Sequence, residues 1–215
     1  FLWQVQLCLS DRFHVHYQYA WAAYCWFEEI ELFREQLRFC VDLAKKIGQS
    51  GQWGSVVSLL GLYSSHSRHS KNESPADYET LASETKNILF GLAEKDERPS
   101  NALMSKAYVE LLNLQSIESV DQATEIFSSL LSIVKDGELL VGFSFNELYD
   151  LVTELDSIFG EEDSYELLLD YFTEQTSRRD GDTKGALLSL KRGARRLESD
   201  EPYQAIKLIG KSLMG

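Results

Sequence analysis

Near the end of the chain, the triplet Gly210-Lys211-Ser212 has the residues that close a phosphate-binding loop. That loop uses a glycine five residues earlier, where a bend turns successive backbone N–H groups toward the phosphates. Ala205 occupies that position here. Pro202 instead opens an apolar periodicity of three and four residues, which predicts a helix over 202–214 with Lys211 in its interior. The triplet therefore indicates a helix and not a nucleotide site.

The four histidines form two sequence pairs, His14 with His16 and His66 with His69. Two residues apart on a helix, His14 and His16 point about 200° from each other and do not share a metal. His66 and His69 have compatible spacing, but no Cys, Asp or Glu pair accompanies them, and the polar residues around them predict a loop. We therefore expect no metal and no cofactor.

Three cysteines, Cys8, Cys25 and Cys40, are widely spaced in apolar stretches with helical periodicity. Their odd number predicts buried, reduced thiols, as in a cytosolic protein. Burial would raise the pKa of the Cys25 thiol and make it inert. The acids Glu161 to Asp163 stand at a predicted helix start, where negative charge complements the helix dipole. We expect no catalytic residues, and we do not expect an enzyme.

The most distinct charge feature is a basic cluster of Lys191, Arg192, Arg195 and Arg196. On a helix this spacing presents four cations on adjoining faces. The cluster is either a solvated face that balances the acids of 147–182 or a clamp for an acidic peptide or phosphate, since arginine forms bidentate contacts with such anions. These four residues are the candidate partner-binding site.

The 215-residue chain carries a net charge of −13, and the charge is unevenly spread. Residues 136–183 hold fourteen acids and two bases, net −12, whereas residues 184–215 hold seven bases and three acids, net +4. The overall charge argues against general binding to nucleic acid or anionic membranes, because both would repel it. No apolar run approaches the roughly 18 residues of a membrane span.

Only three prolines and a pervasive three-to-four periodicity predict an all-α fold. Short polar breaks separate the helices, Ser144 to Glu147 has the form of a capping box, and the polar stretch 64–74 predicts a mobile loop. The aromatic residues of 13–27 surround their predicted helix, which indicates burial on several sides, with a partner groove as the alternative. The predicted helices span 2–12, 14–30, 32–48, 52–65, 75–94, 101–115, 119–135, 144–159, 163–177, 184–198 and 202–214.

A small or apolar residue followed one turn later by a bulky one recurs along the chain. The pairs are Ala123 with Phe127, Leu168 with Phe172, and Ala205 with Ile209. This pattern lets the second helix of a hairpin pack closely on the first.

Two further positions extend the pattern to the first helix of each hairpin. Leu60-Gly61 forms a bulky-small step, and Gly193 stands twelve residues before Ala205. Together these motifs resemble tetratricopeptide repeats across residues 50–215. The resemblance implies a right-handed α-solenoid of about five antiparallel helix hairpins, and longer HEAT-type helix pairs remain open as the repeat family.

We therefore expect aromatic-rich helices over 1–50, which could continue an upstream repeat, and a continuous tetratricopeptide-like array over 51–215. The chain begins at Phe1 in mid-pattern, so we expect a fragment of a larger cytoplasmic protein. Such arrays serve as interaction scaffolds or as sensors in signalling and defence proteins, and this resemblance implies a protein or acidic-peptide partner. The alternative is a helical enzyme domain or the regulatory segment of an NTPase.

Overall fold

A computed structural model describes residues 8–69, 75–117, 119–160, 162–180 and 202–213, together with residues 190, 193, 194 and 197. These residues contain helices and no strand, so the predicted all-α class is confirmed. The helices are α1 Leu9–Cys25, α2 Ile30–Ile47, α3 Ser50–His69, α4 Pro75–Lys95, α5 Pro99–Leu114, α6 Val120–Gly137, α7 Phe145–Glu154, α8 Asp156–Phe159, α9 Asp163–Asp180 and α10 Pro202–Leu213.

Local sequence signals set several helix ends. Pro75, Pro99 and Pro202 are each the first residue of a helix, where a missing N–H removes no intrahelical hydrogen bond. Gly48 ends α2 with a φ of 65°, and its N–H donates to the carbonyl of Ala44. This left-handed conformation favours glycine because no Cβ crowds the following carbonyl.

The first helix differs from its prediction. The break expected near residue 13 is absent within the described α1, and the helix ends at Cys25 instead of residue 30. It ends there because the chain turns through Glu28, a non-glycine residue with a φ of 54°. At its start, Cys8 and Asp11 form an unforeseen capping box, in which Cys8 Sγ accepts from Asp11 N at 3.4 Å.

The aromatic residues of α1 were predicted to be buried on several sides, and that prediction is wrong. Phe13 is buried and Tyr17 and Trp21 pack partly against the core, whereas Tyr19 is 46% exposed. Just beyond the helix, Trp26 is 82% exposed. The buried and half-buried aromatic residues recur at intervals of four, which places them on one helical face.

The polar stretch 64–74 was expected to be a loop, but α3 continues through its first half to His69. Residues 70–74 lie outside the described part of the chain. Ser64 is buried at 5% exposure, which shows that this polar extension begins within the packed part of the fold.

Helix α3 lies at the centre of the fold. It packs against α1, α2, α4, α5 and α7, and its side chains Trp53, Val56, Leu59 and Leu60 are almost completely buried. One hydrophobic core runs without interruption from Phe13 to Phe172. The two regions expected from the sequence, residues 1–50 and 51–215, therefore share one core.

Five of the six small-then-bulky positions predicted to pack helix on helix are in the core, and the sixth, Ile209, is half-buried. Ala123, Phe127, Leu168, Phe172 and Ala205 are each at most 1% exposed. The Phe127 ring meets the rings of Phe159 and Tyr165 edge-on at 5.2 and 5.3 Å. The small-then-bulky pattern therefore identified real contacts between helices.

Gly193 lies against α10, as the twelve-residue spacing to Ala205 suggested. A Cβ added to Gly193 would stand 2.6 Å from Ile209 Cγ1 and 3.2 Å from the carbonyl oxygen of Ala205. Because one of these neighbours is backbone, a larger residue would push the two helical segments apart. Glycine is thus what allows the close approach.

We predict that Gly193→Ala lowers the free energy of unfolding by about 1–3 kcal/mol, because overpacking forces a shift at this contact. Gly210→Ala is the matched control, since a Cβ at Gly210 meets nothing within 4 Å. That substitution should raise stability by about 0.5–1 kcal/mol, because alanine is the better helix former. Chemical denaturation measures both, and equal effects of the two substitutions would contradict the close contact.

Candidate functional site

The basic cluster of Lys191, Arg192, Arg195 and Arg196 lies outside the described residues. Gly193 and Ala194, between the two basic pairs, are described and helical. The assignment of these cations to a partner-binding face therefore stays a prediction.

The Gly210-Lys211-Ser212 triplet lies inside α10, which begins at Pro202 and ends at Leu213. The helical prediction for this segment is confirmed. Backbone N–H groups in a helix interior donate to carbonyl groups four residues earlier, so they are not directed at a phosphate.

His16 and His66 contact neighbouring side chains. His16 Nδ1 lies 2.6 Å from Gln36 Oε1, and its ring stacks on Phe39 at 4.8 Å between centroids. His66 belongs to helix α3 and not to a loop, and its ring meets Tyr24 edge-on at 6.0 Å. Within the described ranges, no group of three His, Cys, Asp or Glu residues is arranged to hold a metal ion.

The cysteines are not uniformly buried, so that prediction is wrong in part. Cys40 is buried in α2, and burial raises its pKa to about 12. Cys8 and Cys25 are exposed, because each stands at an end of α1 and not in its packed middle. The apolar residues next to Cys25 in the sequence predicted that it is buried. The chain turns after α1, however, and Cys25 lies at the surface.

A charged groove lies between α2 and α4. It has a volume of about 250 Å³ and is bordered by Arg38, Asp42, Asp77 and Glu84 together with apolar and hydroxyl side chains. Ion pairs cross it from Arg34 to Asp77 and from Lys45 to Glu84. Ion pairs near the surface contribute only about 0–1 kcal/mol each, so these two add little to the stability of the fold.

The most unusual polar contact joins three helices through Glu147 of α7. A Cβ built on Gly54 of α3 would lie 2.0 Å from Glu147 Oε1 and 2.8 Å from the Tyr108 hydroxyl of α5. The carboxyl group of Glu147 thus fills the space that a side chain at position 54 would need. We refer to Gly54, Tyr108 and Glu147 together as the Glu147 contact.

The electrostatics of the Glu147 contact favour the neutral acid. Burial raises the pKa of Glu147 above its ordinary range, and the charge of Asp150 raises it further, while the hydroxyls of Tyr108 and Ser144 lower it. Burial also raises the pKa of Tyr108 well above its usual value, and the nearby Glu147 adds to this shift. Both shifts follow from placing ionisable groups away from water.

Tyr108 contributes a buried hydroxyl group to the Glu147 contact. The Tyr108 side chain is fully buried, and its hydroxyl faces the Glu147 carboxyl. A buried hydroxyl that loses its partner typically costs about 1–3 kcal/mol. Separating the Tyr108 hydroxyl from the Glu147 carboxyl would therefore destabilise the fold.

The opposite face of α7 is held by aromatic packing on α9. Phe145 and Tyr149 meet the Phe172 ring at centroid distances of 4.9 and 5.5 Å. The Tyr165 hydroxyl donates to the carbonyl of Val152 at 2.9 Å. Helix α7 is therefore anchored on α9 and reaches α3 and α5 through its polar face.

Ser144 and Glu147 were predicted to form a capping box, and that prediction is wrong. The Ser144 side chain forms no capping hydrogen bond, and the carboxyl of Glu147 lies on Gly54. A signal for the true contact exists in the sequence, because Gly54 stands inside a predicted helix where glycine has no local role. That signal indicates close approach but not the group that approaches.

No protein-family model, curated protein or solved structure matches the chain. The resemblance to tetratricopeptide repeats therefore remains a sequence-based expectation. Within the described part of the chain, no helix has both the length and the apolar character needed to cross a membrane.

For the triplet in α10, we predict that wild-type protein and Lys211→Ala give the same flat titration with ATP, because Lys211 lies within a helix. Lys207→Ala, which removes another cation from α10, serves as the control. Isothermal titration calorimetry provides the measurement. Saturable ATP binding that disappears only in Lys211→Ala would refute this interpretation.

For the thiols, we predict that iodoacetamide at about pH 8 modifies Cys8 and Cys25 in the folded protein and leaves Cys40 unmodified. The thiolate is the reactive form, and burial keeps Cys40 protonated and inaccessible. Peptide mass spectrometry locates the modified residues, and labelling in denaturant provides the full-modification control. Rapid labelling of Cys40 in the folded state would contradict its burial.

Proposed function

We propose that this chain is a protein-interaction module, a scaffold or sensor segment of a larger cytoplasmic protein. It binds a protein or acidic peptide on the surface of a tetratricopeptide-like array of helix hairpins. Its function is recognition and not catalysis. The basic cluster of Lys191, Arg192, Arg195 and Arg196 is the proposed anion-binding part of that surface.

The observation that supports this proposal is the order of helix packing. From α1 to α6, each helix packs against the next one in the chain, and α1 with α3 and α3 with α5 also pack together. Stacked hairpins have this pattern, because the first helices of successive hairpins form one layer. A layer of this kind offers an extended, preformed surface to a partner.

Short connections support the same arrangement. Only residues 48–49 separate α2 from α3, and only residues 96–98 separate α4 from α5. Connections this short make consecutive helices run in opposite directions, as in an antiparallel helix hairpin. Arg98 reinforces one connection, since its guanidinium donates to Asp96 and to the carbonyl of Gly48.

Helix α7 departs from a strictly linear array, because it packs on α3 as well as on α9. The proposed module is therefore a hairpin array whose later part folds back on its centre. The basic cluster follows α9 in the chain.

The charge distribution supports an anionic partner for that surface. Residues 184–215 carry net +4 in a chain of net −13. An anionic segment would be repelled by most of this chain and attracted to its C-terminal part, which is a source of specificity. Arginine side chains suit this role because each can hold a carboxylate with two parallel hydrogen bonds.

We predict that Arg192→Glu with Arg196→Glu weakens binding of a glutamate-rich peptide by several kcal/mol in total. Each charge-assisted contact contributes roughly 1.5–3 kcal/mol, and charge reversal adds repulsion. Fluorescence anisotropy with a labelled peptide measures the affinity, and a glutamine-substituted peptide tests the requirement for charge. The melting temperature should change little, because exposed ion pairs contribute only about 0–1 kcal/mol each.

The matched control is Lys46→Glu with Lys106→Glu, which changes the net charge equally at two exposed lysines elsewhere. If both double variants lose affinity alike, binding follows overall charge and the cluster is not a site. If the Arg192 and Arg196 variant keeps its affinity but melts at a lower temperature, the cluster is structural.

A further inference from the structure

The outer face of α1 carries apolar side chains that the described part of the chain leaves exposed. The α1 residues buried in the core are Phe13, Ala20 and Ala23. On the opposite side, Val15, Tyr19 and Trp26 are 55%, 46% and 82% exposed. Helix α1 packs mainly on α2 and to a smaller extent on α3. A helix that is apolar on two sides is typical of one that packs between two neighbours, so the outer face indicates a further contact.

The residues of this face have the spacing of a helix that pairs with another helix. The alternating intervals of three and four residues join Arg12, Val15, Tyr19, Ala22 and Trp26. Each of the five is exposed or half-buried. Such a seven-residue repeat forms the narrow contact stripe of a two-stranded coiled coil. Trp26 continues the stripe past the last residue of α1, because its backbone is still right-handed helical. We call these five residues the α1 seam.

The α1 seam is complementary to itself in side-chain size. When two copies of α1 run antiparallel about a two-fold axis, the seam residues of one copy face those of the other in reverse order. In one such register Tyr19 faces Ala22 of the second copy, and Val15 faces its Trp26. A large side chain then meets a smaller one at each level, which lets the two helices pack closely.

Charge favours the same antiparallel register. Arg12 is exposed near the start of α1, whereas the turn after α1 contains the exposed acids Glu28 and Glu29. The Glu29 N–H donates to the carbonyl of Ala23 at 3.0 Å, which holds this acidic turn at the end of α1. In this register Arg12 of each copy faces the acidic turn of the other, at the negative end of the helix dipole. A parallel pair would instead place like charges together at both ends.

We propose that the α1 seam is a self-association surface, on which a second copy of this chain packs its own α1 in the antiparallel register. Apolar side chains meet in the middle of the seam, and opposite charges meet at both of its ends. This association is independent of the anion binding proposed above.

The size and charge of the interface indicate a weak dimer. Helix α1 has 17 residues and is therefore about 25 Å long. A single pair of helices of this length buries an area near the lower limit of stable interfaces. Each copy also carries a net charge of −13, and the repulsion between two such copies opposes association. Monomer and dimer should therefore exchange reversibly.

Sedimentation equilibrium measures the dissociation constant of the dimer. For wild-type protein we expect a value on the order of 100 μM. Trp26→Glu should raise it at least about tenfold, because the variant places a charge at a large apolar anchor of the seam. Phe90→Glu adds the same charge at an exposed aromatic residue of α4 and should match wild type. Wild-type protein that stays monomeric, or equal weakening by both variants, would overturn the proposal.

A second pair of variants tests the charges at the ends of the seam. Arg12→Glu should raise the dissociation constant about tenfold, since two attractions become two repulsions. Lys106→Glu changes the net charge equally on α5 and is the matched control. Both replaced side chains are exposed, so both variants should keep the fold. Equal dissociation constants for the two variants would show that Arg12 does not face the acidic turn, and the register would be rejected.

The direction of pairing is tested by distances between spin labels. Cys8 and Cys25 stand at opposite ends of α1 and are exposed, whereas Cys40 is buried, so Cys25→Ser and Cys8→Ser each leave one site to label. In the antiparallel register the two Cys8 Cα atoms are about 35–40 Å apart and the two Cys25 Cα atoms about 15–20 Å apart. Pulsed electron paramagnetic resonance measures both distances. Short distances at both sites would indicate a parallel pair and would contradict the proposal.

Discussion

The fold depends on one constraint, that α3 must accept neighbouring helices around most of its circumference. It packs against α1, α2, α4, α5 and α7, and this requires large apolar side chains on some faces and almost no side chain on another. Trp53 is fully buried, while the adjacent Gly54 leaves room for a carboxyl group from α7. Because interiors are close-packed, neither residue can change size without moving a neighbouring helix.

The alternation of bulky and small residues recurs elsewhere and explains how much of the fold was predictable. Ala123, Phe127, Leu168, Phe172 and Ala205 were identified as packing positions by spacing alone, and all are buried. Pro75, Pro99, Pro202 and Gly48 also stand at helix ends, since their backbone preferences act within one or two residues. Helix ends and helix-packing positions that depend on the size or backbone preference of nearby residues could therefore be predicted from the sequence.

The predictions that failed depended on the tertiary path. Cys25 and Trp26 were expected to be buried because their neighbours are apolar, but the turn through Glu28 carries them to the surface. Glu147 had a correct local capping pattern, yet burial against Gly54 and Tyr108 from distant parts of the chain prevails. Tertiary packing overrides local propensity at such positions, and a single sequence does not show which distant segment will arrive there.

The contact of α7 with α3 has a consequence for how the molecule unfolds. In a linear array each unit touches only its neighbours, so end units can fray while the middle stays folded. Here α7 is bound both to α9, near it in the chain, and to α3, at the centre of the fold. Loss of α7 would expose part of the central helix α3. The segment from α3 to α7 should therefore unfold as one cooperative unit. It should also fold slowly, because the contact between α3 and α7 joins residues that are distant in the chain.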